Sequence, residues 1–476
     1  MIEGADHARN GATGKKRPFL TVEGWLAFGS TVALLGVVLA YASLLPLGKW
    51  HPDEFTRLHF MQADGWRQIP EMIFGWSPRP VSELVLWVYA AIVARTGQPY
   101  SAYFLAALWT TLLLGLYFAA RRDQRYPALT AIVLVAAFLL LEKPGEMFYW
   151  PVGAAAYLLL TGSLGIACLL AAERQPRPWL LGATLVSAAW CSEIGALAVI
   201  FYAASLLIAR IVFRRRVQIC WLMWGVILAA ALFPILISVL HRGAMNEVMR
   251  PGSPTVGSLW NSLTAAVPDQ VHELLTARLG SGWWAILPAV AVKLLLFLGF
   301  RALATDRRAS MDASIPSILL GLSLMLASYG SLALSYDKFG MNCCERQTTF
   351  RAALVVLALY SLAQAWPLRR TPVWRPIVLA LPLIAVFCWR APDLIYDHGL
   401  IAVTRSNRSD LWRSGRQPGP AMVWRNAPIP RIADGDWRLE PGTYTRTSDT
   451  APGSLDWRYF AVLVFFGKHI LTVLPR

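Results

Sequence analysis

Apolar runs of about 20 residues, broken by short polar and basic turns, recur along the chain from Trp25 to about residue 390. A helix of that length covers the hydrocarbon thickness of a bilayer. The pattern predicts eleven spanning helices near 25–47, 100–120, 128–141, 151–172, 178–191, 194–213, 219–240, 283–300, 315–335, 351–367 and 374–390. Residues 1–24 are then a cytoplasmic tail carrying Lys15, Lys16 and Arg17. The first run is too long for a removable signal and lacks its small-residue cleavage site, so it reads as a retained helix.

One apolar stretch is excluded from the count. Val81 to Ala94 is only about 14 residues long and contains Glu83. If it crossed, the basic clusters around Arg121–Arg125, Arg214–Arg216 and Arg369–Arg370 would all face outward, against the positive-inside rule. It is therefore read as an interfacial or re-entrant helix of an external loop over 48–99. After Ala391 the apolar periodicity stops, and 391–476 is polar and rich in Gly and Pro. This segment reads as a small external domain closing with a strand-like run, Tyr459 to Phe466. The predicted fold is an all-α polytopic membrane protein, a transmembrane domain over 25–390 followed by that tail domain.

Composition agrees. The chain is 56% hydrophobic and 15% charged, which excludes an ordinary soluble protein. Its net charge of +16 sits in short clusters between apolar segments, so it reads as topology with a weak preference for anionic lipid rather than as a nucleic-acid surface. The adjacent Cys343 and Cys344 read as two free thiols, because a disulfide between neighbours is strained. No P-loop or Ser-His-Asp motif stands out, and no cysteine spacing suggests a zinc site.

Most acids near the membrane fall on the external side of this layout, and any chemistry is expected there. The sharpest feature is His51-Pro52-Asp53-Glu54, where the chain leaves the first helix. Adjacent carboxylates at a membrane surface suit a general base or a metal ligand, against the plainer reading of a solvated helix start capped by Asp53. Arg57, one turn on, can hold a phosphate or a carboxylate. Glu193 lies between two spans, where an unpaired acid is costly, so it either orients a hydroxyl or pairs with an arginine. Glu142 and Glu146 form a second acidic group, and Glu142 has Lys143 beside it. Trp66 and Trp150 are the rings nearest the acids, and so the candidates for stacking on a sugar; most other rim aromatics read as an interfacial belt.

The order Asp53-Glu54, Arg57, Trp66, Pro70 and Arg79-Pro80, followed by an apolar juxtamembrane helix, resembles the first external loop of the GT-C-fold glycosyltransferases. That superfamily includes lipid A aminoarabinose transferases and protein O-mannosyltransferases. The resemblance runs in order through roughly the first 200 residues and is architectural beyond. Two departures stand out: the second external loop offers Glu142 and Glu146 where the family commonly has Asp, and the tail is shorter than the periplasmic domains of some members. The segments Phe148–Ala154 and Arg79–Ser82 look closer to bacterial glucosyltransferase-like members that decorate surface glycans.

The resemblance implies a bacterial inner-membrane enzyme that takes a sugar from a polyprenyl-phosphate donor and passes it to a glycan or lipid acceptor at the periplasmic face. Such a transfer needs a base for the acceptor proton, which Asp53 can be, and positive charge for the leaving phosphate. Candidates for the phosphate are Arg57, Arg79, Lys338, Arg346 and Arg351, and the charged loop 336–346 reads as a clamp over it, against simple solvation. A divalent metal is permitted by the acids and not required. Two other readings stay open: an O-antigen polymerase or ligase, which generally relies on external Arg and His clusters, and a lipid-linked sugar transporter or flippase. The latter predicts inverted repeats and charges in mid-helix, where Lys293 is the one clear case.

Overall fold

The structure is a computed structural model; it describes residues 21–48, 50–75, 77–173, 177–212, 221–240, 258–276, 283–303, 311–339, 341–342, 345–365, 373–433, 439–446 and 456–475. Helix α1 spans Val22–Ala42, and three helices of the first loop follow: α2 (Pro52–Asp64), α3 (Gln68–Gly75) and α4 (Pro80–Thr96). The bundle continues with α5 (Ser101–Ala120), α6 (Pro127–Leu140), the single turn α7 (Gly145–Phe148), α8 (Pro151–Ala171), α9 (Pro178–Cys191), α10 (Glu193–Ile211) and α11 (Trp221–Leu240). After these come α12 (Ser258–Leu275), α13 (Ile286–Leu303), α14 (Met311–Phe339), α15 (Glu345–Ala365) and α16 (Arg375–Gly399). The tail holds α17 (Ile401–Arg416), β1 (Ala421–Arg425), β2 (Gly442–Thr445), α18 (Trp457–Phe466) and β3 (Ile470–Leu474).

Among the described residues, nine helices are long and apolar enough to cross a membrane, and α6 and α9 are shorter apolar helices. A helix appears at each of the eleven expected positions. The short α6 is central: α1, α5, α15 and α16 pack around it, and every residue from Leu129 to Leu141 is buried. Small residues on α8 bring its neighbours close. A Cβ on Gly165 would stand 2.7 Å from Leu116 Cδ2, and one on Gly162 would stand 3.2 Å from Leu112 Cδ1. Such positions let helices pack tightly where no water drives them together.

Ion pairs at one end of the bundle locate α4. Glu23, in the first turn of α1, accepts from Arg375 at the start of α16 and lies 3.0 Å from Arg125 Nη2, in the turn between α5 and α6. Arg375 also donates to the carbonyl of Ala302, near the end of α13, at 2.8 Å. The N-terminal end of α1 and the C-terminal end of α5 therefore lie together, so α4 does not add a crossing between them. Its Leu84, Val88 and Ile92 are exposed along one stripe, while Ser82, Glu83, Leu86, Tyr89 and Val93 are buried on the other. That is the half-buried habit expected of an interfacial helix.

The tail departs from the sequence expectation in two ways. The boundary placed at 391 falls inside α16, and α17 carries the helix almost without interruption to Arg416, so the apolar periodicity is lost within a continuing helix. The run Tyr459 to Phe466 is helical, not strand-like. Asp456 caps it by accepting the Arg458 N–H at 3.0 Å, and Gly467 closes it with a left-handed φ of 62°. The strands form one sheet in the order β1-β3-β2, β1 parallel and β2 antiparallel to β3, with Ala421 opposite Ile470 and Thr443 opposite Thr472. The buried Asp397 ties this unit back to α16 by accepting the N–H groups of Ile432 at 2.8 Å and Ala433 at 3.0 Å.

Candidate active site

Asp53 and Glu54 open α2 at the end of the bundle opposite Glu23. Pro52 occupies the first helical turn, where its missing N–H costs nothing, and the paired acids complement the positive end of the helix. The two carboxylates have different surroundings. Glu54 is buried, and its oxygens accept the N–H of His51 at 2.8 Å and of Val152 at 3.4 Å, which ties α2 to the start of α8. The Trp150 indole is near enough to favour the Glu54 charge, yet its buried N–H completes no hydrogen bond. Burial dominates and pushes Glu54 from an ordinary 4.5 up to about 8.

Asp53 is half-buried, and among the described residues nothing hydrogen-bonds to it. Burial raises its pKa, and the arginines Arg57 and Arg346 pull it back down. It is the one acid of the group with both oxygens available to a ligand.

Around Asp53 stand three arginine–glutamate pairs. Arg57 grips Glu83 of α4 in a two-point contact, with Nη2 3.0 Å from Oε1. Arg79 Nε lies 2.9 Å from Glu193 Oε2, joining the start of α4 to the start of α10. Arg346 Nη1 lies 3.4 Å from Glu146 Oε2, and its guanidinium sits over the Trp150 ring at 4.9 Å. His51 lies against the same ring at 4.7 Å. Burial opposes the charge of Arg57 and Arg79, but Glu83 and Glu193 outweigh it and hold both guanidiniums above their ordinary range. Arg79, Glu193 and Arg346 keep between 22% and 29% of their side-chain surface open, so solvent reaches this half of the cluster.

Two close approaches make the geometry possible. Ser82 Oγ donates to the carbonyls of Ala155 at 3.1 Å and Cys191 at 2.9 Å, seating α4 against α8 and α9. Gly153 and Gly195 have no room for a Cβ, which would fall 2.1 Å from the Glu146 carbonyl and 2.0 Å from that of Ala188.

The structure thus brings Asp53, Glu54, Arg57, Arg79, Glu146, Glu193, Arg346 and Trp150 together. It places the other candidates elsewhere. Arg351 is only 1% exposed and is held by Glu273, with Nε 2.7 Å from Oε2 and Nη2 2.6 Å from Oε1, and by Asn342 Oδ1 at 2.7 Å. Glu142 faces this second cluster, within electrostatic reach of Lys293. The Nζ of Lys293 caps α12 by donating to the carbonyls of Glu273, Leu274 and Thr276 at 2.6–2.9 Å. Trp66 is 67% exposed and, among the described residues, makes no hydrogen bond or ring contact with this cluster. The Lys338 side chain and Cys343–Cys344 lie outside the described residues, and so does part of the loop read as a clamp.

Sequence reasoning missed Glu83 and Glu273 as partners for Arg57 and Arg351. The available signal for Glu83 was an acid inside an apolar helix, which needs a cation. The pairing alternative for Glu193 was in view, and the partner is Arg79.

Chemically, five carboxyl groups face three guanidiniums, so the cluster carries an excess of acid that a proton or a cation can satisfy. Among the described residues no three His, Cys, Asp or Glu side chains converge as a metal cage. A hard divalent ion here would rest on Asp53 and on oxygens supplied by a substrate, the mode magnesium often adopts. Comparison with protein-family models, curated proteins and solved structures gives no match to this chain.

Two expectations arise here. Glu54 binds its proton more tightly in the folded state, so its contribution to stability is full below about 4.5 and is lost as the pH rises through about 8. Glu54→Gln, which keeps a neutral acceptor, is expected to flatten the decline of the thermal midpoint over that window; an unchanged slope removes Glu54 as its source. Glu273→Ala, which leaves Arg351 buried without its partner, is expected to cost about 3–5 kcal/mol. The check is thermal unfolding beside Arg351→Met/Glu273→Met, which should recover part of the loss.

Proposed function

We propose that this chain is a membrane glycosyltransferase that moves a sugar from a polyprenyl-phosphate donor to a cell-surface glycan or lipid acceptor. The observation that carries the reading is Asp53: a carboxylate with no hydrogen bond among the described residues, flanked by Arg57 and Arg346, at the rim of an apolar helical bundle. Asp53 accepts the proton of the acceptor hydroxyl as that oxygen bonds to the anomeric carbon. The anomeric carbon–oxygen bond to the phosphate breaks, and the polyprenyl phosphate leaves with the electron pair.

Arg57, Arg79 and Arg346 are pre-positioned by their glutamates, and each can exchange part of that contact for phosphate oxygens as negative charge builds on the leaving group. Trp150 is only 4% exposed and has His51 and Arg346 against its ring, so its part in the site is to hold Arg346 in place and not to offer a face to the sugar. A rim location lets the prenyl chain stay in lipid while its phosphate meets the arginines.

The test is donor consumption by the purified chain in lipid, using a panel of labelled polyprenyl-phosphate sugars. Consumption of one donor supports the reading. If no donor is consumed while a diphosphate-linked glycan is bound or lengthened, the polymerase or ligase reading replaces it.

The proposed orientation places the N-terminus of α1 in the cytoplasm and Asp53 in the periplasm of a bacterial inner membrane. A cysteine replacing Arg122 is then expected to react with a membrane-impermeant thiol reagent only after the membrane is opened. Labelling from outside intact cells reverses the orientation.

A further inference from the structure

A cavity lies where the tail unit meets the first loop, and it takes no part in the site above. Its volume is about 340 Å³, within the range of small-molecule sites. Gln62 of α2, Trp412, Arg416 and Gln417 at the end of α17, Phe466 of α18 and Lys468 line it. Gln62 follows Asp53 by nine residues, which is roughly 13 Å along a helix.

Two cations serve this cavity, and among the described residues no carboxylate lines it. Lys468 is only 4% exposed, and its ammonium donates to the carbonyls of Gln417 and of Gly419, the latter at 2.8 Å. An ammonium has three protons, and the third meets no acceptor among the described residues. Arg416 is exposed at the mouth of the cavity, donates to the Gly97 carbonyl and lies over Trp412 at 5.2 Å, which leaves its remaining N–H groups open to solvent or to a ligand. The carbonyls fasten both cations in place and carry no net charge to neutralise them.

The walls are built to keep this space. Gly415 allows Phe466 to lie against α17, where a Cβ would fall 2.4 Å from Phe466 Cδ1. Gly97 adopts a φ of +65°, and a Cβ there would strike Arg416 Nη2 at 2.4 Å. The result is an aromatic floor, two amides at the mouth and two cations with donors to spare.

We propose that this cavity binds a phosphate-type oxyanion, carried either by a small soluble molecule or by a lipid headgroup. Such a group supplies the third acceptor for the buried Lys468 ammonium, pairs with the open N–H groups of Arg416 and neutralises both charges, and any apolar part of the ligand meets Trp412 and Phe466. The proposal stands independently of the transferase reading.

The test is binding of labelled inorganic phosphate to the full chain in nanodiscs of zwitterionic lipid, with no turnover involved. Saturable binding is expected, weakened about tenfold or more in Arg416→Gln and in Ala94→Met, which fills the cavity without touching either cation. Both positions avoid the buried Lys468, and unchanged thermal midpoints without phosphate show that the variants fold. Absence of saturable binding, or equal affinity in wild type and both variants, overturns the proposal. Loss in Arg346→Gln instead places the ion at the candidate active site and also overturns it. Repeating the titration in nanodiscs of anionic phospholipid separates the sources: loss of phosphate binding identifies a headgroup as occupant, and unchanged binding identifies a soluble phosphate.

Discussion

Asn in place of Asp53 is expected to lower kcat/KM for sugar transfer by about a hundred- to ten-thousandfold, the usual span for loss of a general base. The protein should fold and insert as before, because Asp53 has no hydrogen bond among the described residues for the amide to break. Its pH profile supplies a second readout. Burial raises the Asp53 pKa, so the base is lost to protonation earlier than an exposed aspartate as the pH falls. The acid limb of kcat/KM should therefore lie above the ordinary aspartate range, and activity should rise with pH through it. Arg346→Gln removes one of the two guanidiniums that lower this pKa and should move the limb higher still. Retained transfer in Asp53→Asn takes the base role away from this residue, whatever the donor proves to be.

Truncation of Phe55 to Ala should have the largest effect on stability, about 3–5 kcal/mol. Phe55 is fully buried, with ring centroids of Trp50, Phe465 and Phe466 at 5.1, 5.3 and 5.8 Å and those of Trp412 and Trp424 both at 6.4 Å. It stands two residues after Asp53 on the same helix. One side of α2 therefore presents the candidate base, and another is held by the tail unit. Loss of the ring should speed proteolysis of the tail and depress transfer together, and Phe55→Leu should recover much of both. Transfer that survives while the tail is cleaved shows that Glu54 and Arg57 hold α2 unaided.

The first loop and the tail thus form one packed unit on the Asp53 end of the bundle. Arg408 of α17 extends the joint, donating to the carbonyl of Gly48 at 2.5 Å and to Ser101 Oγ at 3.4 Å. Nothing in the local sequence marks this connection, since the partners are some 300 to 360 positions apart. Mutations in the tail are expected to reach the site through α2, by moving the helix that carries Asp53.

What the chain determined by itself is its relation to the membrane. The length and spacing of the apolar runs set helices at all eleven expected positions, nine of them among the described residues long and apolar enough to cross a membrane, because such helices satisfy their own backbone and need no partner to be recognised. The same local logic placed Val81–Ala94 as a non-spanning helix and put Pro52, Asp53 and Glu54 at a helix start. What only the tertiary structure decided is the pairing of charges. Arg57 with Glu83, Arg79 with Glu193, Arg346 with Glu146 and Arg351 with Glu273 each join separate elements, and residue types alone could not say which arginines stay near Asp53 and which is buried elsewhere. The tail helix Trp457–Phe466 belongs to the same class: eight consecutive residues of mixed aromatic and β-branched character read as a strand until a cap, a glycine stop and the aromatic packing around Phe55 make the helix the better-satisfied backbone.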